Sequence, residues 1–98
     1  MSNYQAESWD ADSVTRILRE RGHEHLRVRR RGALLTIESG PQDDPVKHVR
    51  LRRDTAELWT LEMATHTGRF EQTPFRDRLE PLLEMLVEQF GWTLEPIA

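Results

Sequence analysis

The sequence contains no cysteine among its 98 residues, which excludes disulfide bonds and thiolate zinc sites as sources of stability. No apolar run approaches the about 18 residues that a membrane-spanning helix needs. The opening MSNYQAESWDAD also lacks the apolar segment of a secretory signal. An absence of cysteine fits a reducing compartment. Together these absences predict a cytoplasmic protein that does not engage a membrane.

Charge is plentiful instead, and it is distributed unevenly along the chain. Charged residues make up 32% of the sequence, with a net charge of −3 at pH 7. Residues 25–56 carry eight Arg or Lys against four acids, whereas residues 1–24 carry three against five and residues 57–98 carry three against eight. A basic middle between acidic ends predicts a dipolar surface, which bears on the choice of partner.

A short amphipathic helix is predicted over about residues 11–21. Asp10 is a suitable N-cap, and Gly22 lies where a left-handed C-terminal cap is expected. Residues 1–8 show no periodic pattern and are expected to form a flexible tail, so we expect one domain over residues 9–98. The apolar residues at helical spacing are Val14, Ile17 and Leu18.

The strongest periodic signal predicts a second helix near the C-terminus. Thr73 followed by Pro74 is typical of a helix start, and Gly91 is a suitable cap at its end. Pro81 conflicts with a continuous helix and predicts either a kink or two separate segments. The apolar positions of this stripe are Phe75, Leu79, Leu82, Leu83, Leu86, Val87 and Phe90.

Between the helices the apolar period changes to two, which is typical of strands that are buried on one face. Two consecutive β-hairpins are predicted, separated by a loop at residues 40–45. We therefore predict an α+β fold with two layers, in which a four-stranded antiparallel meander carries two helices on one face (α-β-β-β-β-α). Residues 92–94 could add a short C-terminal edge strand.

If the apolar strand residues face the core, the residues between them share the opposite face of the sheet. Most of these outward residues are basic: Arg27, Arg29, His48, Arg50 and Arg52. Such a face could follow a phosphate backbone, but no aromatic residue is expected at the outward positions to stack on a base. The alternative is a solvated face in which Glu38 and Glu62 pair with the arginines across strands.

Histidine is the residue type that could bind a metal in the absence of cysteine. His23 and His25 would share a face in an extended chain and could supply two zinc ligands. Nothing nearby clearly supplies a third ligand, and a metal needs a full set. We therefore predict neither a metal nor a cofactor.

The loop from Thr65 to Thr73 holds the residues best suited to chemistry. Gly68 would allow close approach of the backbone to a ligand, and the polar residues around it could position an anion or move a proton. The threonines have no visible base, so a nucleophilic site is not predicted. Two interpretations stay open, a connector between a strand and the last helix or a ligand or partner site. The candidates are His66, Thr67, Arg69, Glu71 and Arg76.

Five segments in the second half of the chain carry a resemblance. They are HVRLRRD at 48–54, LWTLEM at 58–63, THTGR at 65–69, TPFR at 73–76 and FGW at 90–92. Roughly residues 46–94 resemble a family of small uncharacterised bacterial proteins. The resemblance implies a domain of unknown function and no particular activity.

The sequence thus favours a non-enzymatic interaction module that binds a protein partner or a second copy of itself. The dipolar charge, the open sheet edges and the missing catalytic constellation support this hypothesis. The first alternative is nucleic-acid binding through the basic sheet face. The second alternative is a small-ligand site or an enzyme centred on the loop at residues 65–76.

Overall fold

The described part of the chain, residues 4–96, forms five strands in a single antiparallel sheet with the order β1-β2-β3-β4-β5. The structure is a computed structural model. Each strand pairs with the strand that follows it in the chain, so the sheet is a meander. The elements are α1 (Ser8–Glu20), β1 (Arg27–Arg31), β2 (Leu34–Ser39), β3 (Val46–Arg53), β4 (Trp59–Ala64), β5 (Phe70–Asp77), α2 (Leu79–Phe90) and a 3-10 helix (Gly91–Leu94).

Both helices pack on the same face of the sheet and close one core. α1 contacts β1 and α2, while α2 contacts β4 and β5 and the 3-10 helix contacts β3. Burying a large aliphatic side chain stabilises the fold by about 1.5–3 kcal/mol, and this layer is the main source of such burial. Its fully buried aliphatic side chains include Val14 and Leu18 of α1, Leu35, Ile37, Val49, Leu51 and Leu61 of the sheet, and Leu82, Leu83 and Leu86 of α2.

The predicted α+β class, the antiparallel meander and its two hairpins are confirmed, but the sheet has one strand more than predicted, and this strand is not at residues 92–94. Within residues 4–96 the sheet has a fifth strand, β5, where the start of the last helix was predicted. The C-terminal segment that could have added an edge strand is instead the 3-10 helix. The loop at residues 65–69 therefore joins two strands of a hairpin rather than a strand to a helix.

β5 tolerates Pro74 because it is an edge strand with a bulge. The pairing between β4 and β5 shifts between Thr60 and Glu62, so that extra β5 residues lie opposite Leu61. The Thr73 hydroxyl donates a hydrogen bond to the carbonyl oxygen of Leu61 at 2.8 Å, which closes the irregularity. Proline is accepted in sheets at edges and bulges, where its missing N–H costs no ladder bond. Thr73 and Pro74 are thus strand residues and not a helix start.

α2 begins later than predicted, and this removes the conflict over Pro81. Its N-cap is Arg78, so Pro81 is the third helical residue. The first turn of a helix has no intrahelical acceptors for its N–H groups, and proline is tolerated there. α2 is consequently neither kinked nor split by Pro81.

α1 begins before Asp10, which was predicted to be its N-cap. The N-cap is Glu7, and the Asp10 carboxylate accepts a hydrogen bond from the Glu7 backbone N–H at 2.9 Å. The helix ends at Glu20 with Arg21 as its C-cap, and Gly22 (φ 87°) follows in the left-handed conformation that was predicted for it. Of the predicted tail at residues 1–8, residues 1–3 lie outside the described range. Ala6 is buried in the core, so ordered packing extends into that segment.

Candidate functional site

The strand register gathers basic side chains on the sheet face opposite the helices. Directly paired residues of antiparallel strands lie on the same face. Arg29 of β1 and Arg50 of β3 both pair with Thr36 of β2, so the two arginines lie on one face, on either side of β2. Within residues 4–96 neither helix packs on this face. We call it the arginine face, and its basic members are Arg27, Arg29, Arg31, Lys47, Arg50, Arg52 and Arg76.

Two buried glutamates organise the arginine face. Glu38 is 1% exposed and Glu62 is 2% exposed, although both point away from the apolar core. Burying a carboxylate is costly unless opposite charges and hydrogen bonds compensate. Each glutamate is compensated by two arginines of a neighbouring strand, the pairing that the alternative interpretation of this face predicted. The contacts are Arg27 Nε at 3.2 Å and Arg29 Nη2 at 3.0 Å to Glu38, and Arg50 Nε at 2.5 Å and Arg52 Nε at 3.0 Å to Glu62.

The glutamate–arginine cluster at Glu38 also holds a loop. Arg27 donates from its two terminal nitrogens to the carbonyl oxygens of Gly40 at 2.6 Å and Pro41 at 3.3 Å. All three guanidinium nitrogens of Arg27 therefore have protein acceptors. This cluster fixes the β2–β3 loop against β1. Of its two arginines, Arg29 is the one whose side chain is more exposed.

The cluster at Glu62 keeps more of its arginine N–H donors available than the cluster at Glu38 does. Arg50 and Arg52 bind Glu62 through Nε, and an arginine has four further N–H donors on its terminal nitrogens. Among residues 4–96 those terminal groups have no hydrogen-bond acceptor in the structure. The Arg50 guanidinium also lies 4.3 Å from the ring centroid of Phe70, a cation–π contact that fixes its position.

His48 does not belong to the arginine face, and its predicted outward position is wrong. Ile37 pairs with Val49, but the next residue, Glu38, pairs with Lys47, so the register between β2 and β3 shifts here. The pairing skips His48, which is therefore the extra residue of a β-bulge. It is 5% exposed and reaches the helix side. There its Nδ1 lies 2.8 Å from the carbonyl oxygen of Thr93. A bulge re-aims side chains and breaks the alternation on which the prediction depended.

The arginine face does contain an aromatic residue, contrary to the sequence-based expectation. Phe70 pairs with Ala64 and lies on the outward side of β5, beneath the Arg50 guanidinium. Sequence reasoning missed it because residues 70–77 were not recognised as a strand. The available signal was weak: the alternating stretch of β4 is followed by a five-residue segment, 65–69, that contains Gly68, and such a segment is compatible with a hairpin.

The five candidates of the predicted loop do not converge on one point. His66 and Thr67 lie in the β4–β5 turn, where the Thr65 and Thr67 hydroxyls are hydrogen-bonded at 2.8 Å. Arg69 is exposed at the end of that turn. Glu71 pairs with Met63 on the helix side of the sheet, while Arg76 lies at the far end of β5, where it forms an ion pair with Asp54 at 2.5 Å.

Of these candidates, His66 alone lines a described cavity, a small pocket of about 320 Å³. One wall is formed by Trp92, which is 72% exposed, and another by Met63. A larger groove of about 720 Å³ lies between the starts of α1 and α2, beside the 64% exposed Trp9. Of the three tryptophans, only Trp59 is buried.

Two of the four histidines contact the backbone of the 3-10 helix. His25 Nε2 lies 2.8 Å from the carbonyl oxygen of Leu94, and His48 binds Thr93 next to it, so both hold the 3-10 helix. No group of three or more potential ligands that could hold a metal is found within residues 4–96. Over the same residues, no helix is long and apolar enough to cross a membrane.

Comparison with known proteins finds no matching family model, no matching curated protein and no matching solved structure. The resemblance of residues 46–94 to a bacterial family therefore stays a prediction. Function has to be inferred from the charges and contacts of the arginine face.

Proposed function

We propose that the protein is a non-enzymatic interaction module whose arginine face binds an acidic segment of a partner protein. The supporting observation is the excess of positive charge on a sheet face that neither helix covers. Its basic side chains outnumber the two buried carboxylates that organise them. Complementary charge steers association and suppresses wrong partners.

The area of the arginine face can be compared with the area that a protein–protein interface buries on one partner. Strands lie about 4.8 Å apart and rise about 3.3 Å per residue, so a sheet of this order with strands of up to eight residues presents about 500 Å². A protein–protein interface of ordinary size buries about 800 Å² on each partner. The face could therefore supply most of one side of a modest interface.

A different chain fits the arginine face better than a second copy does. Two arginine faces placed against each other would oppose like charges. The sheet edges are also poor templates for strand pairing, because β1 reads Arg-Val-Arg-Arg-Arg and β5 carries Pro74 beside its bulge. Charged edge strands, prolines and bulges are the devices that prevent edge-to-edge association.

An acidic polypeptide is also favoured over nucleic acid. Single-stranded nucleic acids are held by aromatic side chains on which bases stack, and Phe70 on this face is beneath the Arg50 guanidinium. The buried Glu38 and Glu62 lower the positive potential that a phosphate backbone requires.

The test compares a synthetic acidic peptide with a single-stranded oligonucleotide of equal charge, both fluorescently labelled, at about 50 mM salt. We expect the peptide to bind more tightly than the oligonucleotide and to weaken as salt increases. Replacing Arg29 and Arg52 by Gln should weaken peptide binding about tenfold, since charge-assisted contacts are lost. The matched control replaces Arg19 and Arg78, which are exposed and lie outside the sheet, by Gln and should leave binding unchanged.

Three results would contradict the proposal. The first is equal weakening by both double variants, and the second is tighter binding of the oligonucleotide. The third is a concentration-dependent dimer, measured by size exclusion with light scattering, that the Arg29 and Arg52 replacements abolish.

A further inference from the structure

The charge of the cluster at Glu62 sets a limit on the anion that it can accept. Arg50 contributes one positive charge, Arg52 contributes another and Glu62 removes one, so the cluster carries a net charge of +1. Each oxygen of Glu62 contacts a different arginine, Oε1 at 2.5 Å and Oε2 at 3.0 Å. Both guanidinium groups are therefore held next to a fixed negative charge.

The two arginines of this cluster are arranged in advance for a ligand. Arg50 and Arg52 are two residues apart on β3 and lie on one face, about 6.6 Å apart along the strand. Glu62 holds both by Nε, and Phe70 supports Arg50 from beneath. Arginines that are positioned before binding lose less rotamer entropy when they donate to an anion.

We propose that Glu62 makes the Arg50–Arg52 pair selective for singly charged carboxylates over doubly charged phosphoryl groups. This inference rests on the proposed function and names the chemistry of the partner, which is Asp or Glu rather than a phosphorylated side chain. The attraction of an anion to the cluster grows in proportion to its charge, whereas the cost of removing it from water grows with the square of that charge. A site whose positive potential is lowered by a buried carboxylate thus favours the smaller charge.

Glu38 provides the matched comparison within the same sheet. It is as deeply buried as Glu62 and also binds two arginines. The terminal nitrogens of Arg27, however, already donate to the carbonyl oxygens of Gly40 and Pro41. Removing the charge of Glu38 should therefore change anion selectivity much less than removing the charge of Glu62. If the net charge of the whole protein set the anion selectivity, removing the charge of Glu38 or of Glu62 would change that selectivity equally.

The experiment measures binding of two acidic peptides that differ at one position, glutamate in one and phosphoserine in the other. At about pH 7.5 phosphoserine carries close to two negative charges, and we expect the wild-type protein to bind the glutamate peptide more tightly than the phosphoserine peptide. In the Glu62→Gln variant the affinity ratio should shift about tenfold towards phosphoserine, the effect of one near-surface charge. The Glu38→Gln variant should keep the wild-type ratio.

A second measurement needs no variant, in case Glu62→Gln does not fold. The second pKa of phosphoserine is about 6, so lowering the pH to about 5.5 makes phosphoserine mostly singly charged. The wild-type preference should then move towards the phosphopeptide. Tighter binding of the phosphopeptide at pH 7.5, or an unchanged ratio in Glu62→Gln, overturns the selectivity while leaving the acidic-partner function intact. If neither peptide binds, the proposed function itself fails.

Discussion

The Nδ1 atom of His48 lies 2.8 Å from the carbonyl oxygen of Thr93, so a residue of β3 holds the 3-10 helix near the C-terminus. The Nε2 atom of the same ring is hydrogen-bonded to the Ser39 hydroxyl at 2.8 Å. Both contacts exist because the β-bulge turns His48 towards the helices. The bulge thus converts a histidine of the sheet into an anchor for the end of the described chain.

Replacing His48 by Ala should lower the free energy of unfolding by about 2–5 kcal/mol. The change leaves the buried Ser39 hydroxyl and the Thr93 carbonyl without their partner and adds a cavity. Urea denaturation measures the effect. The control is His66→Ala in the exposed β4–β5 turn, which should change stability by less than about 0.5 kcal/mol. Equal effects of the two substitutions would contradict the anchor.

The bulge of β5 predicts a cost for losing the Thr73 hydroxyl. Thr73→Val keeps the shape of the side chain but removes the 2.8 Å hydrogen bond to Leu61, so we expect a loss of about 1–2 kcal/mol. Thr67→Val is the control, because Thr67 is exposed and its hydroxyl is hydrogen-bonded to that of Thr65 in the same turn. If thermal unfolding shows no difference between the variants, the hydroxyl of Thr73 does not support the bulge.

The position of Pro81 predicts that its replacement has little effect. At the third residue of α2 the backbone N–H has no intrahelical acceptor, so Pro81→Ala should change stability by less than about 1 kcal/mol. A proline in a helix interior costs about 3 kcal/mol. A gain of that size on substitution, seen by chemical denaturation, would mean that the helix begins earlier than the structure shows.

The three tryptophans should differ in their access to solvent. Trp9 and Trp92 are 64% and 72% exposed, whereas Trp59 is 3% exposed. A variant with Trp9→Phe and Trp92→Phe, which retains only Trp59, should resist acrylamide quenching, while Trp59→Phe should be quenched readily. Similar quenching of the two variants would show that Trp59 is accessible.

Much of the arginine face could be predicted from alternation alone. Arg27, Arg29, Arg50 and Arg52 fall between apolar residues that had to face a core, and the same alternation placed Glu38 and Glu62 beside them. Period-two patterns fix which face a residue occupies as long as the ladder is regular. The grouping of these charges was therefore accessible from the sequence.

The errors within the sheet occur where the ladder is irregular. His48 was placed on the wrong face because a bulge inserts one residue, which the pattern of residue types does not reveal. Thr73 and Pro74 are equally suited to a helix start and to a bulged edge strand. Phe75 precedes Leu79 by four residues, so a strand residue happened to extend the helical stripe. The pairing of β5 with β4 in the folded chain decides between these interpretations, and it cannot be derived from local propensity.

The meander has a consequence for how the chain folds. Every strand pairs with its neighbour in the sequence, so the sheet can grow hairpin by hairpin through short loop closures of low contact order. Contacts between α1 and α2, such as the 3.9 Å ion pair of Arg16 with Glu80, join segments that lie far apart in the sequence. We expect α1 to dock after the folding transition state, with a φ-value near zero for Leu18→Ala and a higher one for Val49→Ala. The reverse order of φ-values would show that the helix layer, rather than the sheet, forms the folding nucleus.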